Sequence, residues 1–489
     1  MRSNTVGKQL VVIGAGLGGL SAAIYGRLAG YDVLVIEKSD KVGGKAAGIT
    51  IGGYVLDPGP SIIILPRLYE AVFTAARRKM ADYLKFKPLS TISRVFFGND
   101  SPIDLPANAK GCLEVLHDIC PHDAKALGSL LEKLAKVEPL LDKTVYDHPY
   151  VKKSQLMDVN LLRFGMGFNP LKTYKELVDP LFESPLVRAF FYGFPSYGGQ
   201  TYSSKSPGAF LIPYYMLTDG VYFPEGGVRA IPQAFQCLAE ELGVKFQFGN
   251  AVKSVVGEDK WMKAVILDSG ERIEADAFVS NVDRSTFAAY RSEQVVGEPS
   301  FSYFTVHRGI RRTFQNLDHH NLFIPANFEH GFQELYQAGK FPTEPIVYVN
   351  STGNLDPKAA PAGSSNVFAV VTSPAKVNGI DWPNSESEYS DRVDRVLANA
   401  GVTWDKSEVD FMRIQTPEYF ESAHGSYRGS LYGLSESHRL WGMFPASNQD
   451  DRWGNLSYSG GSVQPGAGLP MVTLSGKFAV GLLKTKPTT

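Results

Sequence analysis

Cysteine is nearly missing from this chain, with three in 489 residues, at Cys112, Cys120 and Cys237. Their spacing suits neither a zinc site nor a disulfide framework, so no metal centre is expected and a reducing, cytoplasmic compartment fits. An excess of either charge is missing too, since 49 basic and 50 acidic residues leave a net charge of -1. So balanced a chain has no basic face for nucleic acid, which drops out as a partner. Nor does any apolar run approach the ~18 residues needed to cross a bilayer, and Met1 to Lys8 is too short and polar for a secretory signal. Peripheral contact with a membrane stays open. Hydrophobic residues at 44% and charged residues at 20% exclude disorder, and the length allows two or three domains.

What the chain does have begins at Leu10. Leu10-Val11-Val12-Ile13 reads as a strand buried on both faces of a parallel sheet. It runs into Gly14-Ala15-Gly16-Leu17-Gly18-Gly19, after which Leu20, Ala22, Ala23, Ile24 and Leu28 follow a helical pattern. Gly14, Gly16 and Gly19 take the fingerprint positions of a dinucleotide site: a tight turn, room for a pyrophosphate, and close helix-to-strand packing. Phosphate oxygens would meet free N–H groups and the dipole at the helix N-terminus. A second strand, Asp32 to Ile36, ends in Glu37-Lys38, with Glu37 18 residues beyond Gly19. An acid there accepts hydrogen bonds from an adenosine ribose and repels a 2′-phosphate, which favours FAD or NAD over NADP.

The next segments favour FAD. Val42-Gly43-Gly44-Lys45 follows the acid, and Tyr54-Val55-Leu56-Asp57 enters the turn Pro58-Gly59-Pro60-Ser61. Adjacent glycines let the backbone pass close to a long ligand. Near the other end, a strand from Trp453 runs into Gly460-Gly461, then Gly466-Ala467-Gly468-Leu469-Pro470 opens a small-residue helix, Val472 to Leu483. Bare backbone beside helix N–H groups suits flavin carbonyl or ribityl oxygens. Between these ends, Val244 to Phe248, Val252 to Val256, Trp261 to Leu267 and Arg272 to Ala275 read as short strands. Val252 is a candidate backbone contact for adenine.

Elsewhere, residues 61 to 82 and 108 to 144 read as helical, the latter interrupted at Pro121. Ile92 to Phe97 and Ile103 to Leu105 read as antiparallel strands; Ser302 to His307, Asn321 to Ile324, Ile346 to Asn350 and Val367 to Thr372 suggest, with these pieces, a sheet of five or six, and Glu408 to Gln415 reads as another strand. Residues 155 to 219 crowd aromatic and aliphatic side chains, among them Leu161, Leu162, Phe164, Met166, Phe190, Phe191, Phe194, Tyr214 and Tyr215. Two readings stand: a helical core, or the wall of an apolar pocket with a membrane-facing patch.

Read together, VVIGAGLGGLSAA, EKSDKVGGK, YVLDPGPS, YFPEGGVRAIPQAF, ADAFVSNVD, STGNLDPKAAPAG, PEYFESAHGSYRGSLYGLS and GGSVQPGAGLPMVTLSG resemble the flavoprotein carotenoid desaturases of the bacterial and fungal phytoene-desaturase type, with their ketolase and oxygenase branches. The likeness runs nearly end to end. Two departures stand out: Val463-Gln464 where the family has Thr-His, and Phe444-Pro445 where it has Arg-Pro. The resemblance implies a fold of mixed class, α/β and α+β. A Rossmann-like FAD-binding domain would be built from discontinuous segments, 8–82, 220–298 and 416–489. A mixed-sheet substrate domain would take 83–154 and 299–415, and a helical membrane-proximal region 155–219.

It also implies a linear C30 or C40 polyene or carotenoid precursor, held by apolar area at roughly 25 cal/mol per Å² before association costs. The expected reaction is dehydrogenation, with hydride passing to flavin N5 and a proton leaving the adjacent carbon. Quinone, oxygen or another acceptor would reoxidise the flavin, and oligomeric state is left open. Candidate reactive polar groups are His424, Tyr427, Arg428 and Gln464, with Glu225, His307 and Tyr432 also worth placing. Alternatives are a carotenoid ketolase or terminal oxidase, a flavin-dependent isomerase, an amine oxidase, and a carotenoid-binding flavoprotein without catalysis.

Overall fold

The computed structural model describes residues 7–59, 61–142, 144–150, 159, 163, 168–169, 171–353, 355–376, 380–435 and 445–484. Gln9–Ile13, four of its five residues buried, lies at the centre of a five-stranded parallel sheet. Its order is Leu456–Tyr458, Ala277–Ser280, Gln9–Ile13, Asp32–Ile36, Lys245–Gln247. Strands 200 and more positions apart are thus neighbours, because only apolar β-branched runs can occupy a sheet interior.

The helix Leu17–Leu28 follows the first strand, and the last helix, Leu469–Gly481, lies against it. Small residues permit that approach: a Cβ on Gly476 would fall 2.6 Å from the Ala22 nitrogen and the Gly18 carbonyl oxygen. The Ser21 hydroxyl donates to the Thr473 carbonyl at 2.6 Å across 452 positions. Gly19 packs as tightly, since a Cβ there would lie 2.1 Å from the Gly14 carbonyl oxygen. Val252–Glu258, Trp261–Leu267 and Arg272–Glu274 form a separate antiparallel sheet.

The second large sheet has seven strands, more than the five or six expected. They run in the order Val409–Gln415, Ser302–Ile310, Ser365–Ser373, Val347–Ser351, His320–Ile324, Thr91–Phe97, Ile103–Pro106. The sheet is mixed: His320–Ile324 pairs parallel with Thr91–Phe97, and the other pairs are antiparallel. Ala109–Ile119 and Pro121–Asp142 are separate helices, divided at Cys120 where proline restarts the chain.

The described part of the aromatic stretch forms short helices, Tyr174–Val178, Pro185–Tyr192 and Leu211–Thr218, joined by turns. Phe182, Phe191, Phe194 and Phe210 are almost wholly buried there, with the Phe182 and Phe191 rings 4.5 Å apart. This packing is that of a core, and it gives no sign of a membrane-proximal helical region; Leu161, Leu162, Phe164 and Met166 lie outside the described residues. No described helix is long and apolar enough to cross a membrane.

Candidate active site

One large cavity, of about 1090 Å³, passes from the glycine loop after the first strand to the inner face of the seven-stranded sheet. Its first part is a cradle of backbone. Gly14, Gly16 and Leu17 border it, and the helix that begins at Leu17 has no side-chain cap and no acid in its first turn. Its N-terminal N–H groups and dipole are therefore available to an anion. Gly43 crosses in front of this loop with φ at 113°, a left-handed conformation that favours glycine, and donates to the Ala15 carbonyl at 2.9 Å. Gly59 packs on the turn that follows Gly43, where a Cβ would lie 1.9 Å from the Lys45 carbonyl oxygen.

Glu37 borders the cradle, yet its carboxylate is already engaged. Oε2 accepts from the Ala15 N–H at 2.7 Å, and Oε1 accepts from the Ser39 N–H at 2.9 Å and the Ser39 hydroxyl at 2.8 Å. It ties the glycine loop to the next turn, and a carboxylate has lone pairs left for a ribose. Asp57 ties a second pair of segments, accepting from the Val228 N–H at 2.8 Å and the Arg229 N–H at 3.3 Å. Burial pushes its pKa up against those bonds.

A second uncapped helix N-terminus opens on the same cavity at Gly468, Leu469 and Pro470, beside Gly461 and Gly466. Nearby stand Lys45, which donates to the Leu431 carbonyl at 2.9 Å, Lys38, and His424 at the end of the helix Pro417–His424. Burial, with Lys45 and Lys38 adding to it, lowers His424 to about 4, so its imidazole is neutral. Tyr419 links it to Arg413, whose guanidinium lies 5.4 Å over the Tyr419 ring.

Beyond these groups the wall turns aromatic and uncharged. Phe190, Phe194, Tyr197, Tyr303, Phe328, Phe332, Tyr336, Tyr348, Phe368 and Tyr432 line it, with Leu211, Ile212, Leu335 and Val370. Burial raises the phenols of Tyr197, Tyr303, Tyr336, Tyr348 and Tyr432, so all stay protonated. Among the described lining residues, Glu37 and Asp283 are the only carboxylates, and both belong to the cradle side with Asn281.

Of the residues read from sequence, Gly14, Gly16, Leu17, Glu37, Lys38, Gly43, Gly44, Lys45, Pro58, Gly59, Ser61, Val252, His424, Gly461, Gly468, Leu469 and Pro470 border this cavity. Gly18 and Gly19 serve packing behind it; a Cβ on Gly18 would lie 2.8 Å from the Asn281 amide nitrogen. Pro60 and Phe444 lie outside the described residues. Tyr427, Arg428 and Gln464 do not border the cavity. The Tyr427 hydroxyl donates to the Gly297 carbonyl at 3.1 Å, and Arg428 reaches Glu298 at 4.0 Å in a half-exposed pair. Gln464 is spent on Tyr150: Oε1 accepts from its N–H at 2.6 Å and Nε2 donates to its carbonyl at 3.0 Å. Nor do Glu225 and His307 border it; His307 is fully buried, stacked 4.2 Å from Phe368, and lowered to about 3 by burial.

Sequence reading missed Asn281. Its amide donates to the Ser459 carbonyl at 3.1 Å, and a Cβ on Gly16 would lie 2.4 Å from its Oδ1, so it holds the glycine loop against the last glycine turn. Its place at the end of a parallel strand, after Ala277-Phe278-Val279-Ser280, was the available signal.

A parallel sheet with a glycine loop after its central strand, two open helix ends on one cavity and a carboxylate beside them fit a flavin dinucleotide and define a flavoprotein oxidoreductase. The chain belongs to the family of flavin containing amine oxidoreductases, whose pattern matches residues 17–483. It is similar to 4,4'-diaponeurosporene oxygenase of Staphylococcus haemolyticus (strain JCSC1435), with 29% identity over 500 residues and 99% of each chain covered. In fold it is similar to an oxidoreductase from Methanosarcina mazei, with a TM-score of 0.63 and 17% identity over 96% of this chain and 98% of that one. Putrescine oxidase bound to putrescine gives a TM-score of 0.60 and 16% identity over 98% and 99%.

Proposed function

We propose that this chain binds FAD in the glycine cradle and oxidises a linear, uncharged polyene of carotenoid type, C30 or C40, lying in the aromatic chamber. The observation that carries the reading is the cavity itself, which leads from an anion-suited cradle into a wall of aromatic and aliphatic side chains without a carboxylate. An ammonium substrate would lack a counter-ion there, which weighs against amine oxidation. A hydrocarbon asks for apolar area and exclusion of water, and this wall supplies both.

Bound FAD supplies the hydride acceptor. The residues do the rest. The two open helix N-termini, at Leu17 and Leu469, would hold the pyrophosphate and a flavin oxygen, and Glu37, which ties the glycine loop to Ser39, would offer its remaining lone pairs to the ribose. Gly18, Gly19 and Asn281 hold that loop in place. The aromatic wall holds the substrate, and neutral His424, which borders the cavity and feels the charges of Lys45 and Lys38, can take a proton at Nδ1 or Nε2. Loss of that proton from the carbon beside the hydride donor gives dehydrogenation.

A second outcome, oxygenation of the polyene, is favoured by the full-length similarity to an oxygenase. One experiment separates the two: flavin-loaded protein is incubated with C30 and C40 polyenes, without and with labelled oxygen, and products are weighed. Loss of two mass units supports dehydrogenation, and gain of oxygen the second outcome. Unchanged mass with every polyene, together with flavin reduction by an amine, overturns the proposal. We assign peripheral membrane contact to the same reading, because the substrate's solubility requires delivery from a lipid phase; no residue is assigned to it.

A further inference from the structure

Among the polar groups on the wall of the aromatic chamber, the Tyr348 hydroxyl is one that a hydrocarbon cannot use. Tyr348, on the strand Val347–Ser351, borders the cavity and is held from behind by His320 on the paired strand His320–Ile324. His320 Nδ1 lies 2.6 Å from the Tyr348 hydroxyl, and the Ser61 hydroxyl lies 2.8 Å from it on the cavity side. His320 is fully buried and its Nε2 has no hydrogen-bond partner. These three residues come from chain segments that only the fold brings together.

Counting hydrogens decides what this cluster can do. Burial keeps His320 neutral, so its ring carries a single N–H. Placing that hydrogen on Nε2 would leave a buried donor without an acceptor, whereas placing it on Nδ1 leaves only a bare lone pair. The network therefore assigns Nδ1 as the donor to the Tyr348 oxygen. Tyr348 and Ser61 then hold two hydroxyl hydrogens between them. One closes their mutual bond. The Asn350 side chain also reaches the Tyr348 oxygen, as a donor, and its own oxygen already accepts from Thr352; with His320 donating as well, the other hydrogen is left to the cavity that both hydroxyls border.

We propose that Tyr348 and Ser61, set by His320, form a hydrogen-bond donor subsite for an oxygen atom on the substrate, so the chamber takes polyenes carrying a hydroxyl or carbonyl group in preference to the plain hydrocarbon. This rests on the polyene reading above and names the substrate class within it. Tyr197, whose phenol lies near those of Tyr348 and Tyr303, extends the polar strip along the same wall. His320 is a positioning residue, since it reaches the substrate only through Tyr348.

The test is a binding comparison with FAD-loaded protein, using a linear C30 polyene hydrocarbon and the same polyene ending in an aldehyde. The unaltered protein should bind the aldehyde about 5- to 10-fold more tightly, the worth of one hydrogen bond to a buried donor, and should shift its visible band to longer wavelength. Tyr348→Phe, which keeps the ring, should bring the affinity ratio close to one and abolish the shift. His320→Leu should do the same, while His320→Asn, whose amide can donate from the position of Nδ1, should restore both. An affinity ratio near one in the unaltered protein overturns the subsite and leaves polyene binding standing. Failure to bind either polyene overturns both proposals. A ratio and band shift that survive Tyr348→Phe place the donor elsewhere and refute this assignment.

Discussion

Replacing Glu37 by Gln tests whether this acid is first a tie between loops and only then a ligand group. The carboxylate is nine-tenths buried and accepts three hydrogen bonds, one at Oε2 from Ala15 and two at Oε1 from Ser39. A glutamine has a single acceptor oxygen. If that oxygen serves Ser39, the amide NH₂ faces the Ala15 N–H, two donors pointing at each other in a site with little access to water. One charge-assisted bond is lost and two buried donors, the Ala15 N–H and the new amide, face each other unmet, so Glu37→Gln should destabilise the apoprotein by about 2–4 kcal/mol. The assay is urea unfolding without added flavin, followed by FAD titration of whatever remains folded at low denaturant. Apoprotein stability within about 0.5 kcal/mol of the parent, with only FAD affinity reduced, would refute the tie and leave a ribose role alone.

Gly16→Val should empty the site of flavin, because its Cβ would fall 2.4 Å from Asn281 Oδ1 and force the loop into the cradle; a purified variant with full flavin absorbance would defeat this. Phe191→Ala should cost about 3–5 kcal/mol, as for other large aromatic truncations in packed cores, since that ring is buried against Phe182, Phe194 and Phe210. Retained stability accompanied by weaker liposome binding would instead make it a surface residue. Acid should destabilise the fold through four histidines held neutral by burial: His307 lowered to about 3, His319 and His424 to about 4, and His320 well below its ordinary value. The unfolded chain binds these protons at about pH 6.5, so stability is complete above that value and is lost as pH falls toward 4. Calorimetry in two buffers near pH 5 should report uptake of three or four histidine protons on unfolding, and uptake of one or fewer would contradict it.

The glycine loop, its flanking strands and Glu37 were legible because their chemistry is tied to spacing within some thirty residues, where sequence and contact coincide. The turn at Gly468 was legible for the same reason: a bare backbone beside a helix start is a local feature. Partners set by long-range pairing were not. Asn281 touches the cradle only because Ala277–Ser280 lies between Gln9–Ile13 and Leu456–Tyr458. Gln464 looked like a reactive group, yet its amide is closed on the Tyr150 backbone, a contact spanning 314 positions. Likewise Tyr427 and Arg428 stand in a motif rich in polar residues but face Gly297 and Glu298. The seven-stranded sheet exceeded the expected five or six because Val409–Gln415 joins its edge beside Ser302–Ile310, and no local pattern announces the parallel pairing of Thr91–Phe97 with His320–Ile324.

The central sheet takes its strands from both ends of the chain, and the Ser21–Thr473 bond fastens the first helix to the last. During synthesis the opening βαβ unit leaves the ribosome hundreds of codons before its neighbours Leu456–Tyr458 and Leu469–Gly481 exist. A nascent chain thus carries half a pocket with nothing to close it until those segments have emerged. A stop codon anywhere before Leu456 leaves a sheet edge bare and a cradle without its far wall, so truncated products should be colourless and aggregation-prone, however much of the sequence they retain.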